Sequence, residues 1–318
     1  MAEIKLNDTT QSLLDQVNKI YPGTVLVHFD DRQAGYLRHD QAKQEALPGG
    51  LVITITDITA PNYTASHELL HLLMLMSGFP QIFFFNVSFG EEKLDEQLMI
   101  MATDLYDIAM HIVVVSEQRK HQLIDEQIED LYLKGIDTTI SEESKQDDDE
   151  RTLRLLTILD ALVFYGDQFE RVADHIQKRY PKALKAAQGL YQDLIEKPID
   201  SPFAMRRTIT KLFKQFDDQL TSWGLPALHN TEFTTLSSVL SERQLRLEVR
   251  QMFEIFHSEM IDRQSGEKAY IGLNRNDRQN SFVLTPPKDD SIGFFKEIYG
   301  KSVKELFEVV KMPYIVRK

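Results

Sequence analysis

The sequence predicts an α+β protein that is predominantly helical. Three observations carry that expectation. Two short, β-branched apolar runs stand near the N-terminus, residues 151 to about 265 keep a helical period, and a polar loop near residue 280 is flanked by two strand-like segments. The expected order is a small β-sheet, two helices, a helical bundle and a C-terminal β-hairpin.

The elements follow from the residues in turn. Thr9–Ile20 places Leu13, Leu14, Val17 and Ile20 on one helical face and stops at Tyr21-Pro22-Gly23. Val25–Phe29 and Leu51–Thr56 read as strands that can pair, separated by a polar stretch closed by Pro48-Gly49-Gly50. Asp57–Tyr63 reads as a turn. Asn62-Tyr63-Thr64 at its end has the form of a glycosylation acceptor but is expected to be a helix entry, with Thr64 or Ser66 placed to cap. Thr64–Met76 has helical period and ends at Ser77-Gly78-Phe79-Pro80, a Gly stop with Pro just beyond. Ile82–Phe89 is strand or loop, and Glu91–Lys120 is a long helix with acids at its start and Arg119 and Lys120 at its end, as the helix dipole favours.

Ser141–Glu150 is a charge run without apolar residues and reads as a solvated linker or loop, the best domain boundary in the chain. It divides the chain into a first domain over 1–140, the linker at 141–150, a helical domain over 151–265 with breaks at Tyr180-Pro181, Lys197–Pro202 and Trp223–Pro226, and a C-terminal segment over 266–318. In that last segment Ala269–Leu273 and Phe282–Thr285 form the hairpin, placed to pack back on the first domain, and Ser302–Val310 is a final helix.

Composition removes several functions. Formal charge is −13 over 318 residues, and no local basic patch offsets it, so no nucleic-acid partner is expected. The absence of Cys leaves His and carboxylates as the strong metal ligands, excludes thiol nucleophiles and suits a reducing, cytoplasmic setting. The start of the chain lacks a secretory pattern, and the greasiest runs are broken by His71 and His111, so neither secretion nor a membrane span is expected. No Gly-rich phosphate loop or Ser nucleophile elbow is present.

The chemistry concentrates in His67-Glu68-Leu69-Leu70-His71. Residues i and i+4 lie one above the other on a helix, so both imidazoles can reach one ion, while Glu68 sits beside the open side where it can take a proton from water. A strand precedes the motif, the motif lies in a helical pattern and a Gly-Pro stop follows; on these residues the chain resembles the zincin (HExxH) zinc metallopeptidases over about residues 24–120. Metzincins add a Gly and a third His soon after the motif, and Leu72–Ser77 supplies neither, so the resemblance is to the gluzincin-like, minimal intracellular type.

That resemblance implies Zn²⁺ as cofactor, Glu68 as general base and a third ligand from the next helix, where Glu91, Glu92, Asp95, Glu96, Asp104, Asp107 and His111 are the candidates. Leu98, Met101, Leu105, Ile108 and Ile112 define the inward stripe, and Asp104, Asp107 and His111 lie on or beside it. His111 is favoured as ligand with Asp107 orienting an imidazole; Asp107 and then Glu96 are the alternatives. The remaining histidines, at 28, 39, 121, 175, 229 and 257, read as surface or core residues.

Two functions follow as expectations. The first is a cytoplasmic zinc metallopeptidase acting on a peptide or protein substrate, with an edge strand of the N-terminal sheet binding extended peptide and the helical domain able to hold a protein partner. The second is a non-proteolytic protein of the same fold, with a structural or sensory zinc site.

Overall fold

The computed structural model describes residues 4–144, 146, 148–287 and 290–317. It is 53% helix and 17% strand in small sheets, the predominantly helical α+β class expected. The chain forms two compact units, Met1–Ser77 with Met110–Ile195 and Gly78–Ala109 with Glu196–Lys318. These differ from the consecutive stretches read from the charge run, because each unit takes two separated pieces of chain.

In the first unit, α1 (Asp8–Ile20) starts at Asn7, whose side chain accepts from the Thr10 amide, and buries Leu13 and Val17. A three-stranded sheet follows, with β1 (Thr24–Phe29), β2 (Ala42–Leu47) and β3 (Gly50–Ile55) in the order β1-β3-β2. β1 runs parallel to β3 with Val25 opposite Leu51, and β2 runs antiparallel with Gln44 opposite Ile53. In β3, Leu51, Ile53 and Ile55 point into the core while Val52 and Thr54 are half-buried. β2 lies in the stretch expected to be merely polar. Its Ala-Lys-Gln-Glu composition is poor in strand formers, and a two-residue turn with Gly49 at φ 85° folds it onto β3 as an edge.

α2 (Pro61–Met76) carries the HExxH motif and begins three residues before Thr64, because Pro61 pre-sets the first helical turn. Thr64 and Ser66 bond back to the carbonyls of Ala60 and Tyr63 rather than capping. Its buried residues, among them Ala65, His67, Leu69, Leu70 and Leu72, occupy most of its circumference. α3 (Glu92–Lys120) is the one described helix long and apolar enough to cross a membrane, and half of its most apolar window is buried in the protein.

Next come α4 (Glu126–Thr139), α5 (Arg151–Tyr165), α6 (Ala173–Arg179) and α7 (Pro181–Ile195), with α5 packed along α7. The acidic run is a fastened loop. Buried Arg154 donates to the Ser141 carbonyl at 2.7 Å and pairs with Asp148 and Glu150 at 2.7 and 3.1 Å, and Glu143 accepts from the amides of Lys182 and Ala183 at the start of α7. Lys145 and Asp147 of that run lie outside the described residues.

The second unit contains β4 (Ile82–Phe83), β5 (Val87–Ser88), α8 (Pro202–Ser222), α9 (Asn230–Phe233), β6 (Thr235–Leu236), β7 (Ser238–Leu240), α10 (Glu242–Leu245), α11 (Val249–Met252), β8 (Phe253–Asp262), β9 (Lys268–Asn274), β10 (Asn280–Leu284), α12 (Ser291–Gly300), α13 (Val303–Val309) and β11 (Tyr314–Val316). Its main sheet has the order β10-β9-β8-β5. The expected hairpin forms as β9 and β10, with Ile271 opposite Val283, and pairs with β8 rather than with the N-terminal strands. β8 overturns the expectation of helix up to residue 265. Phe253, Phe256 and Met260 imitate a helical face at i, i+3 and i+7, yet Phe256 is exposed at 44% while Phe253 packs with Phe282 and Phe307 in the core.

Candidate metal centre

Four histidines of the first unit converge. His67 and His71 stand one turn apart on α2, and their Nε2 atoms are 3.2 Å apart. His111, from the part of α3 that belongs to this unit, sets its ring edge-on to both, with centroids 4.8 Å from His67 and 5.3 Å from His71. His39 stacks on His67 at 4.5 Å and meets His111 edge-on at 4.3 Å. One ring nitrogen from each of His39, His67 and His111 lies within 4.8 Å of the others, so this group can hold a metal ion.

The loop that delivers His39 is pinned on both sides. The Leu37 amide donates to the Leu131 carbonyl of α4, and Gly135 of the same helix lies so close that a Cβ there would stand 1.9 Å from the Leu37 oxygen. Gln41 closes the turn, accepting from the Arg38 amide and donating to the Tyr36 carbonyl. On the far side, Gln118 of α3 donates to the Tyr63 carbonyl and the Ser66 hydroxyl, which fixes α3 against the helix carrying the motif.

Asp160 organises one side of the cluster. Its Oδ1 accepts from His111 Nδ1 at 2.7 Å, and its Oδ2 accepts from His39 Nδ1 at 2.9 Å and from the Tyr132 hydroxyl at 2.7 Å. Burial pushes the Asp160 carboxyl up, but His39 and His111 and their hydrogen bonds hold it well below the usual carboxylate range. An ionised carboxylate only accepts, so the proton that each ring donates to Asp160 is on Nδ1, and a ring held this way with no second proton keeps its lone pair on Nε2. For His111 that leaves Nε2 free. For His39, Nε2 meets the Tyr63 hydroxyl at 2.8 Å.

Burial, with the neighbouring histidines adding to it, holds His67 and His71 well below the ordinary imidazole range. It also lowers His111, against the pull of Asp160. Neutral rings are what a metal requires. For a tetrahedral site with Zn–N of about 2.0–2.1 Å, two ligand nitrogens stand about 3.3–3.4 Å apart, close to the observed His67–His71 separation. The donor set is therefore one that can hold a metal ion. One atom stays unmatched, the buried His67 Nδ1, which has no partner among the described residues.

Glu68 lies on the solvent side. It is half-buried, and its Oε2 accepts from Gln44 Nε2 of β2 at 2.8 Å, in an accessible position. Burial raises its pKa, with Gln44 and His39 opposing. His71 is also only partly buried, whereas His67 and His111 are 3% exposed.

The structure places the rings of His67, His71 and His111 near one another, but the group whose ligand atoms all lie within 4.8 Å is His39, His67 and His111, and His71 stands beside it through His67. The carboxylate that orients His111 is Asp160 of α5 and not Asp107, one turn back on α3; Asp107 is half-buried, Glu96 is exposed, and neither belongs to the described metal-capable group. Asp160 stands in the apolar run Leu155–Tyr165 of the helical region, where a lone acid is costly to bury without a partner. His39 gave no such signal in its polar loop. The chain matches no protein-family model, no curated protein and no solved structure.

Proposed function

We propose that the protein is a zinc-dependent metallopeptidase of cytoplasmic setting, with His67, His71 and His111 as the residues that hold the ion. The observation that carries this reading is the pair of Nε2 atoms 3.2 Å apart on the HExxH helix, with His111 facing both. When bound, the metal supplies Lewis acidity that polarises a carbonyl and brings water into reach as a nucleophile near neutral pH.

The chain's own residues do the rest. Gln44 occupies Glu68 Oε2, so Oε1 is the oxygen left to take the proton from the attacking water and pass it to the departing amine. Burial moves the Glu68 pKa upward, the direction a general base near neutrality needs. β2 is the edge of the sheet order β1-β3-β2, and its outer backbone groups are available to an extended peptide laid alongside Gln44. Asp160 keeps the His111 lone pair on Nε2.

Zinc measured by elemental analysis of untagged protein is expected at about one atom per chain. Glu68→Gln is expected to keep that zinc and lower cleavage of a denatured proteome peptide mixture by at least about 100-fold. Protein without zinc after growth in added metal defeats the metal centre. A Glu68→Gln variant that cleaves as fast as the parent defeats the peptidase mechanism and leaves the structural or sensory zinc site.

A further inference from the structure

Among the described residues, His39 is the one histidine of the cluster with both ring nitrogens engaged by protein groups. Nδ1 donates to Asp160 at 2.9 Å, and Nε2 faces the Tyr63 hydroxyl at 2.8 Å. Asp160 therefore prepares His39 as it prepares His111, with the lone pair on Nε2. What separates the two rings is Tyr63, which is 2% exposed and sits on α2 one turn before His67.

On the reading that His67, His71 and His111 hold zinc, we propose that His39 is a reserve fourth ligand, held off the ion by the Tyr63 hydroxyl. A ring nitrogen of His39 already lies within 4.8 Å of ligand atoms of His67 and His111, so reaching the spacing of a tetrahedral set asks for a shift of at most about 1.5 Å and a tilt off the stack on His67. With His39 on Tyr63, the fourth position is open to water, as a catalytic site requires. With His39 on the metal, four imidazoles close the site, the state of a structural or latent centre. Tyr63 is then a positioning residue that decides between the two.

The discriminating variant is Tyr63→Phe, which keeps the buried ring and removes only the hydroxyl. Zinc affinity is measured by competition with a chromophoric chelator, and imidazoles are counted by X-ray absorption on the zinc-loaded protein. The parent is expected to show three imidazoles. Tyr63→Phe is expected to show four and to bind zinc at least tenfold more tightly, a gain that loss of a merely structural hydrogen bond would not produce. His39→Gln added to Tyr63→Phe is expected to return the count to three imidazoles and to lose the affinity gained by Tyr63→Phe alone. Tyr63→Phe with three imidazoles and unchanged or weaker affinity overturns the proposal while the metal centre stands. A parent with four imidazoles overturns it too, because Tyr63 then holds nothing back. A parent that binds no zinc overturns the metal reading itself.

Discussion

Replacing Asp160 by Asn tests the group on which the cluster depends. The substitution keeps the shape and removes the charge. Asp160 accepts three hydrogen bonds, from His39, His111 and Tyr132, with a side chain 17% exposed. Bonds to a buried charge are worth about 1.5–3 kcal/mol each, which puts the sum for three at no more than about 9 kcal/mol. Asn retains one acceptor oxygen, so about 2–5 kcal/mol of stability is expected to go. The amide must also present N–H to one of its partners. If the oxygen serves His39 and Tyr132, the amide nitrogen faces His111 Nδ1, the ring proton moves to Nε2 and the lone pair needed for metal is lost. Zinc affinity is then expected to fall about 10- to 100-fold. Urea unfolding of the metal-free protein, followed by signals of the first unit, and chelator competition measure the two effects separately. A variant within about 0.5 kcal/mol of the parent that binds zinc within twofold would refute the assignment of Asp160 as organiser.

Two further outcomes follow from the same structure. His67, His71 and His111 have pKa values lowered by burial, so below pH of about 6.5 the unfolded chain takes up protons that the folded chain refuses. Metal-free stability should therefore fall with acid, by up to about 3 kcal/mol between pH 6.5 and 5.5 for three rings, with Asp160 adding its loss only near and below the ordinary carboxylate range; a flat urea midpoint from pH 7.5 to 5.5 contradicts the neutral rings. Gly135→Ala puts a methyl 1.9 Å from the Leu37 oxygen, a backbone atom that cannot swing aside, so a cost of about 1–3 kcal/mol is expected, and parental stability would show that the loop before His39 is not pinned there.

Sequence period placed α1, β1, β3, the HExxH helix and the long α3 because each buries a face that its own residues define. It failed where tertiary pairing sets the structure. β2 has the residues of a loop and is a strand because a tight turn lays it on β3, and β8 has a helical spacing of Phe and Met but pairs with β9. The site shows the same division. His67, Glu68 and His71 were legible because one helix holds all three, and His111 because a His in an apolar run needs a partner. That partner is not Asp107, four residues back on the same helix, but Asp160, 49 residues further on. Local spacing cannot name a group that only the packing of α5 brings near.

The accessibility of the cluster bears on which chemistry it serves. A structural metal gains from closure on every side, because water competes for the ligands and a nearby carboxylate adds a desolvated charge with no bond to the ion. Here one side holds Tyr63, His39, Asp160 and Tyr132, joined in that order by a chain of three hydrogen bonds. The other side holds partly buried His71 and Glu68, and Gln44 reaches from the sheet edge to fix one oxygen of that carboxylate. The Gln44 hydrogen bond orients Glu68 and offsets only part of the rise that burial gives, whereas the full charge of a Lys or Arg in its place would depress its basicity further. On the peptidase reading proposed above, a half-buried carboxylate raised in pKa and oriented by a neutral amide beside the β2 edge suits proton transfer. Such an arrangement brings no benefit to a site whose only task is to hold α2 against α3, which Gln118 already does through Tyr63 and Ser66.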